Sequence, residues 1–145
     1  MERLKLDLVQ LNKALKTLQN SMNLQLEVTK LNNPQILLGI EDSTIQRFEY
    51  SYESFWKFLK RYLALKYSLE ELKSPRKVFH ACVEMNICSL EEGSIFFDMA
   101  DDRNETSHTY NIESTRIILV AVPRYYSAMM NVTERCNEIF ELKGI

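Results

Sequence analysis

The sequence predicts an all-α protein: an up-and-down four-helix bundle with short additional helices. Three observations predict it. Apolar residues recur every three or four positions along most of the chain. Only three glycines and three prolines interrupt 145 residues, leaving few tight turns. An apolar content of 46% is enough for one well-buried core, and the length predicts one domain over residues 1–145.

The first helix follows from Leu4, Leu8, Leu11, Leu15, Leu18 and Met22, which alternate four- and three-residue steps and mark one apolar stripe continuing to about Lys30. Asn32-Asn33-Pro34 ends it. After a short irregular stretch, Asp42 or Ser43 can cap a second helix, with Ile45, Phe48, Tyr52, Phe55, Trp56, Leu59, Tyr62 and Leu63 on its inner face. That aromatic load is expected to fill a core and to leave a dimer seam, with a stacking platform for bases as the other use.

Ser74-Pro75 pairs an N-cap with a proline at the first helical position, predicting a third helix to about Asn86. Ser89-x-x-Glu92 is a capping box, so a fourth helix opens there and is expected to end near Arg103 or Asn104. Asn111 can cap a fifth, with Glu113 in its first turn opposing the positive end of the helix dipole. The run Ile117 to Val122 is uncharged and mostly β-branched, yet no other segment could pair with it as a strand. It is therefore expected as buried helix, after which Pro123 starts or kinks a last one through Tyr126, Met130, Val132 and Ile139.

Between the fourth and fifth helices lies Arg103-Asn104-Glu105-Thr106-Ser107-His108-Thr109-Tyr110. It combines a fixed cation, an imidazole that titrates near neutrality and a phenol, groups that phosphodiester chemistry can use without a metal. An Arg-x4-His pair alone arises by chance in roughly one chain in seven of this length, and with the following Tyr in fewer than roughly one in a hundred. Positions five apart on an unbroken helix lie roughly 140° apart around its axis. Convergence of Arg103 and His108 therefore requires a bend through Asn104 to Ser107, or a site shared by two subunits. The plain alternatives are an ion pair of Arg103 with Asp98, Asp101 or Asp102, and a capping or solvated His108.

The net charge of −2 gives no global nucleic-acid footprint, so any RNA surface must be local. Lys57, Lys60, Arg61, Lys66, Lys73, Arg76 and Lys77 outnumber Glu70 and Glu71 in one such stretch. Of these, Lys57, Lys60, Arg61, Arg76 and Lys77 form a candidate RNA or partner surface, unless the stripe is simply solvated, with Glu53 and Lys57 as an i,i+4 pair. From Glu84 to Glu105 the acids Glu84, Glu91, Glu92, Asp98, Asp101, Asp102 and Glu105 face Arg103 alone, and would repel RNA unless they point away.

The opening Met1-Glu2-Arg3-Leu4-Lys5 is not a hydrophobic signal region, and Ile117 to Val122, the longest uninterrupted apolar run, is far too short to span a membrane. Cys82, Cys88 and Cys136 form no C-x-x-C, which fits buried thiols in a reduced cytoplasmic setting. His80, Cys82 and Cys88 do not have a usual zinc spacing, so no metal and no cofactor is expected.

The segment Gln46 to Leu63, followed by Ser74-Pro75-Arg76 and then by Arg103 to Tyr110, resembles the HEPN proteins described as nucleotidyltransferase substrate-binding proteins or HepT-type toxins. The likeness runs from about Ile45 to the C-terminal helix, and Arg103, His108 and Tyr110 match the family's Arg-x4-His-x-Tyr motif. The resemblance implies a homodimer with motifs across the interface and a metal-independent endoribonuclease that uses the RNA's own 2′-hydroxyl. His108 would move the proton and Arg103 would stabilise the phosphorane, while Asn104 would orient the phosphate or His108, or cap the helix. It further implies that a separate minimal nucleotidyltransferase silences the nuclease by modifying Tyr110. A non-catalytic substrate-binding subunit of such a transferase is the alternative.

Overall fold

Asn32 takes a left-handed backbone (φ 51°), which turns the chain out of the first helix, α1 (Glu2–Thr29). The next residue starts the second. Asn33 is extended and its side chain accepts the Ile36 N–H at 3.2 Å, with Pro34 in the first turn, so α2 runs Pro34–Tyr67. The irregular stretch expected before Asp42 is thus helical. Asn-Pro ends one helix and, by the same chemistry, caps and opens another.

Then follow α3 (Pro75–Glu84), α4 (Leu90–His108) and α5 (Ile112–Lys143). In this computed structural model the backbone is described for residues 2–108 and 111–143, and side chains for 2–106 and 111–138. Among the described residues there is no strand. The four long helices, α1, α2, α4 and α5, form the expected all-α bundle, with α3 packed against α2 and α4. No helix of the described residues is long and apolar enough to cross a membrane.

Caps decide most of the other boundaries. Ser74 Oγ accepts the Lys77 N–H at 3.3 Å and starts α3. That helix stops at Glu84, slightly before the expected end, because Asn86 is left-handed (φ 58°) and the N–H groups of Asn86 and Ile87 return to the carbonyls of Val83 and Cys82. The Ser89 capping box is formed in both directions, Glu92 N–H to Ser89 Oγ at 3.0 Å and Ser89 N–H to Glu92 Oε1 at 2.9 Å. Burial works against the charge of Glu92. Its hydrogen bonds with Arg135 and Ser89 outweigh burial and hold its carboxyl below the usual range. Arg135 Nη1 also donates to the Ile87 carbonyl at 2.8 Å, so one guanidinium ties α5 to the turn between α3 and α4.

Two further boundaries depart from expectation. The fourth helix continues through Asn104–Ser107 to His108, so the bend expected there is absent. Thr106 Oγ donates back to the Arg103 carbonyl at 2.9 Å, inside the helix. No Gly or Pro occurs between Gly93 and Pro123, and the polar residues cost only about 0.5 kcal/mol each against alanine. Pro123 does not start a helix, one of the two roles expected of it, but lies inside α5, where the Leu119 carbonyl loses its i+4 donor. The Ile117–Val122 run is helical but only half buried: Ile118, Leu119 and Val122 enter the core, while Ile117 and Val120 are 73% and 83% exposed.

The core is aromatic. Phe48, Phe55, Phe58 and Tyr62 of α2 are fully buried with Phe79 of α3, Phe96 of α4 and Tyr125 of α5. Phe55 and Phe79 meet Phe96 at ring distances of 5.0 and 5.3 Å. The inner-face aromatics Phe48, Tyr52, Phe55 and Tyr62 are therefore core rather than a stacking platform, with Trp56 at its edge, donating its indole N–H to Glu53 at 3.1 Å. All three cysteines are free and buried, and burial pushes the Cys88 thiol up to about 11 and that of Cys136 to about 12.

One close approach makes a prediction. A Cβ on Gly93 would lie 2.4 Å from Val83 Cγ2, and valine is stiff about χ1. Gly93→Ala gains about 1 kcal/mol of helix propensity but incurs an overpacking cost of about 1–3 kcal/mol. The net expectation is a loss of about 1 kcal/mol, read as a lower thermal midpoint. Adding Val83→Ala should recover part of it; a Gly93→Ala protein more stable than wild type contradicts the clash.

Candidate functional site

Arg103 reaches from α4 to two carboxylates of α2. Its Nη1 lies 3.0 Å from Glu49 Oε2 and its Nε 4.0 Å from Glu53 Oε1. The aspartates expected as its ion-pair partners are engaged elsewhere. Asp98 meets Arg124 at 3.4 Å, Asp101 pairs with Arg76, and Asp102 accepts the Tyr125 hydroxyl. Burial of Asp102 raises its carboxyl above the usual range, and burial together with the Asp102 hydrogen bond raises the Tyr125 phenol. The acids between Glu84 and Asp102 are thus partly spent on neighbouring helices rather than massed around Arg103.

Gln46, Glu49, Tyr50 and Glu53 share one arc of α2, with Glu49 and Tyr50 adjacent and the rest three, four or seven residues apart. With Arg103 they line a cavity of about 350 Å³ open to solvent. The Arg103 side chain is 21% exposed there, so it is both held and reachable. The cavity therefore joins one guanidinium, two carboxylates, an amide and a phenol ring. None of the four α2 residues is indicated by the motif. Their signal in the sequence is a polar arc at positions 46, 49, 50 and 53, opposite the aromatic one.

The rest of the motif is placed along the chain as follows. Asn104 is exposed on α4, four residues before its end, which removes the helix-capping role considered for it. His108 is the last residue of α4, and its side chain lies outside the described residues. Tyr110 lies outside them altogether. Beyond it, Asn111 Oδ1 accepts the N–H groups of Glu113 and Ser114 at 2.8 and 3.3 Å and starts α5 as expected. On a regular helix, positions 103 and 108 lie roughly 140° apart.

The basic stretch divides. Lys57 and Lys60 continue the cavity's arc of α2: Lys57 lies 3.7 Å from Glu53, and Lys60 stands over the Trp56 ring at 5.9 Å. Arg61 turns to Asp7 of α1. Arg76 and Lys77 belong to α3, where they line a separate open cavity of about 380 Å³ with His80, Glu84 and Phe97. Arg76 is paired with Asp101 and stacks over Phe97 at 5.8 Å. Lys57 and Lys60 therefore lie on α2 and Arg76 and Lys77 on α3, with Arg61 turned to α1, so the five residues do not share one helix face.

Among the described residues no group of His, Cys, Asp and Glu side chains could hold a metal ion. His80 is exposed and lies 3.5 Å from Glu84, away from the buried Cys82 and Cys88.

The family model for "nucleotidyltransferase substrate binding protein like" matches residues 6–138. A crystal structure of a protein from Thermus thermophilus is similar at 36% identity and a TM-score of 0.65, covering 81% of this chain and 97% of that one. A chain in the crystal structure of a mutant MntA–HpeT toxin–antitoxin has the same fold, with a TM-score of 0.65 at 14% identity, covering 88% of this chain and 98% of that one. Comparison with curated proteins gives no match.

Proposed function

The chain belongs to the family of proteins like the nucleotidyltransferase substrate binding proteins, and from that membership we propose that it is the ribonuclease toxin of a two-protein system, silenced by a separate nucleotidyltransferase. The observation that carries the reading is Arg103, fixed by Glu49 at an open cavity, five residues before the His108 that ends α4. The fold shared with the toxin–antitoxin chain is consistent with that assignment.

Cleavage then runs by transesterification. His108 takes the proton of the RNA 2′-hydroxyl as the O2′–P bond forms. The P–O5′ bond breaks, and the departing oxygen is protonated to leave a 2′,3′-cyclic phosphate and a 5′-hydroxyl. Arg103 stabilises the charge that builds on the phosphorane. Because α4 is unbroken between the two positions, we assign each site an Arg103 from one protomer and a His108 from the other, in a homodimer. Tyr110 is the acceptor for the nucleotidyl groups that silence it.

A second reading rests on Glu49 and Glu53. Two carboxylates beside Arg103 oppose a bound phosphate, which favours a non-catalytic subunit presenting substrate to the transferase.

Induced expression of the chain alone separates the two readings. A nuclease arrests growth, and Arg103→Ala or His108→Ala relieves the arrest by lowering cleavage about 10²-fold or more. Growth unaffected by the wild-type chain, or toxicity unchanged in both variants, removes the catalytic assignment.

A further inference from the structure

Tyr50 is the one aromatic of the described residues that places most of its surface in solvent, at 62% exposure. Phe48, Tyr52 and Phe55 on the same helix are buried. An exposed phenol ring contributes little to the core, yet this one forms a wall of the Arg103 cavity. Its neighbours there are Gln46, Glu49 and Glu53. The volume, about 350 Å³, falls at the lower end of sites that bind small molecules.

Carboxylates accept hydrogen bonds and cannot donate them, so beside an aromatic ring they suit a flat ligand whose edge carries N–H donors. A nucleobase has that form. Adenine, cytosine and guanine present amino groups, whereas uracil presents carbonyl oxygens flanking a single N–H. The two carboxylates that disfavour a phosphate inside the cavity therefore favour an amino-bearing base there, leaving the phosphate at the rim. Further along the same arc of α2, Lys57 and Lys60 stand where a continuing backbone needs cations.

We propose that the α2 wall of the Arg103 cavity is a nucleobase subsite, in which Tyr50 stacks the base and Glu49 and Glu53 accept hydrogen bonds from its amino edge. The subsite rests on the RNA reading above and gives it a specificity: an amino-bearing base next to the scissile phosphate, in preference to uracil.

The test uses the purified full chain and labelled hexamers of deoxyadenosine, deoxycytidine and deoxyuridine, which lack the 2′-hydroxyl and cannot be cleaved. Fluorescence anisotropy should give weaker binding of the deoxyuridine hexamer. Tyr50→Ala should weaken the deoxyadenosine hexamer by roughly tenfold, whereas Tyr50→Phe, which keeps the ring, should stay within about twofold. Glu53→Gln should narrow the preference for amino-bearing bases. Affinity unchanged in Tyr50→Ala overturns the subsite, as does a Tyr50→Ala protein whose oligomeric state differs, since Tyr50 would then belong to a subunit contact.

Cleavage of ribose oligomers is scored separately. Cleavage that does not depend on Tyr50 overturns the subsite alone. Tyr50-dependent binding without any cleavage overturns the nuclease and keeps the subsite. A wild-type chain that binds no hexamer and cleaves no RNA overturns both.

Discussion

Arg103→Ala and His108→Ala, each inactive alone, are expected to regain RNA cleavage when the two variants are co-expressed and allowed to form mixed dimers. The expectation follows from the continuity of α4. With no bend between positions 103 and 108, a regular helix directs them roughly 140° apart, and the two groups meet one phosphate only if different protomers supply them. In a mixed dimer one site then loses both groups and the other keeps both. Random pairing makes half the dimers mixed, each with one of two sites intact, so activity should return to about one quarter of wild type.

The size of the recovery is what discriminates. Loss of a general base or of a positioned cation costs about 10²-fold or more, so a return to a quarter stands far above either variant alone. A site contained within one protomer gives no such recovery, because every chain in the mixture lacks one of the two groups. Cleavage is best measured on purified mixtures with a quenched fluorescent RNA. Arg103→Lys is the companion variant: it retains the charge but not the guanidinium fork held by Glu49 at 3.0 Å, and should recover only part of the activity.

The fold is largely legible in the sequence because its boundaries are chemical. Ser74, Ser89 and Asn111 each cap a helix with the bonds their side chains predict. The errors come where one residue type has two uses. Asn33-Pro34 reads as an ending and is equally a beginning. The polar run Asn104 to Ser107 reads as a turn, but its propensity penalties are only a few tenths of a kcal/mol per residue and no Gly or Pro interrupts the helix there. Of the candidate site, the motif points to Arg103, but periodicity along α4 says nothing of Glu49 and Tyr50, which line the same cavity only after α2 and α4 pack together. The basic stretch shows the same limit. Arg61 and Arg76 count as charge in the sequence and are paired with Asp7 and Asp101 in the fold.

Tyr110→Phe is expected to convert a tolerated pair of proteins into a lethal one. Under the proposed function, co-expression with a partner nucleotidyltransferase should permit growth of the wild-type chain: the Tyr110 hydroxyl would attack the α-phosphorus of a nucleoside triphosphate, pyrophosphate would leave, and a phosphodiester-linked nucleotidyl group would remain. Each added unit brings a negative charge two residues beyond the end of α4. That charge would compete with RNA for Arg103 and repel its backbone. Phenylalanine has no hydroxyl to attack with, so the nuclease stays uncovered and growth should stop despite the transferase, while cleavage by the isolated variant remains near wild type. Mass analysis of the peptide that contains position 110 supplies the independent readout, with nucleotidyl additions on the wild type and none on the variant. Growth of Tyr110→Phe cells together with an unmodified wild-type peptide would mean that the transferase neutralises by docking alone.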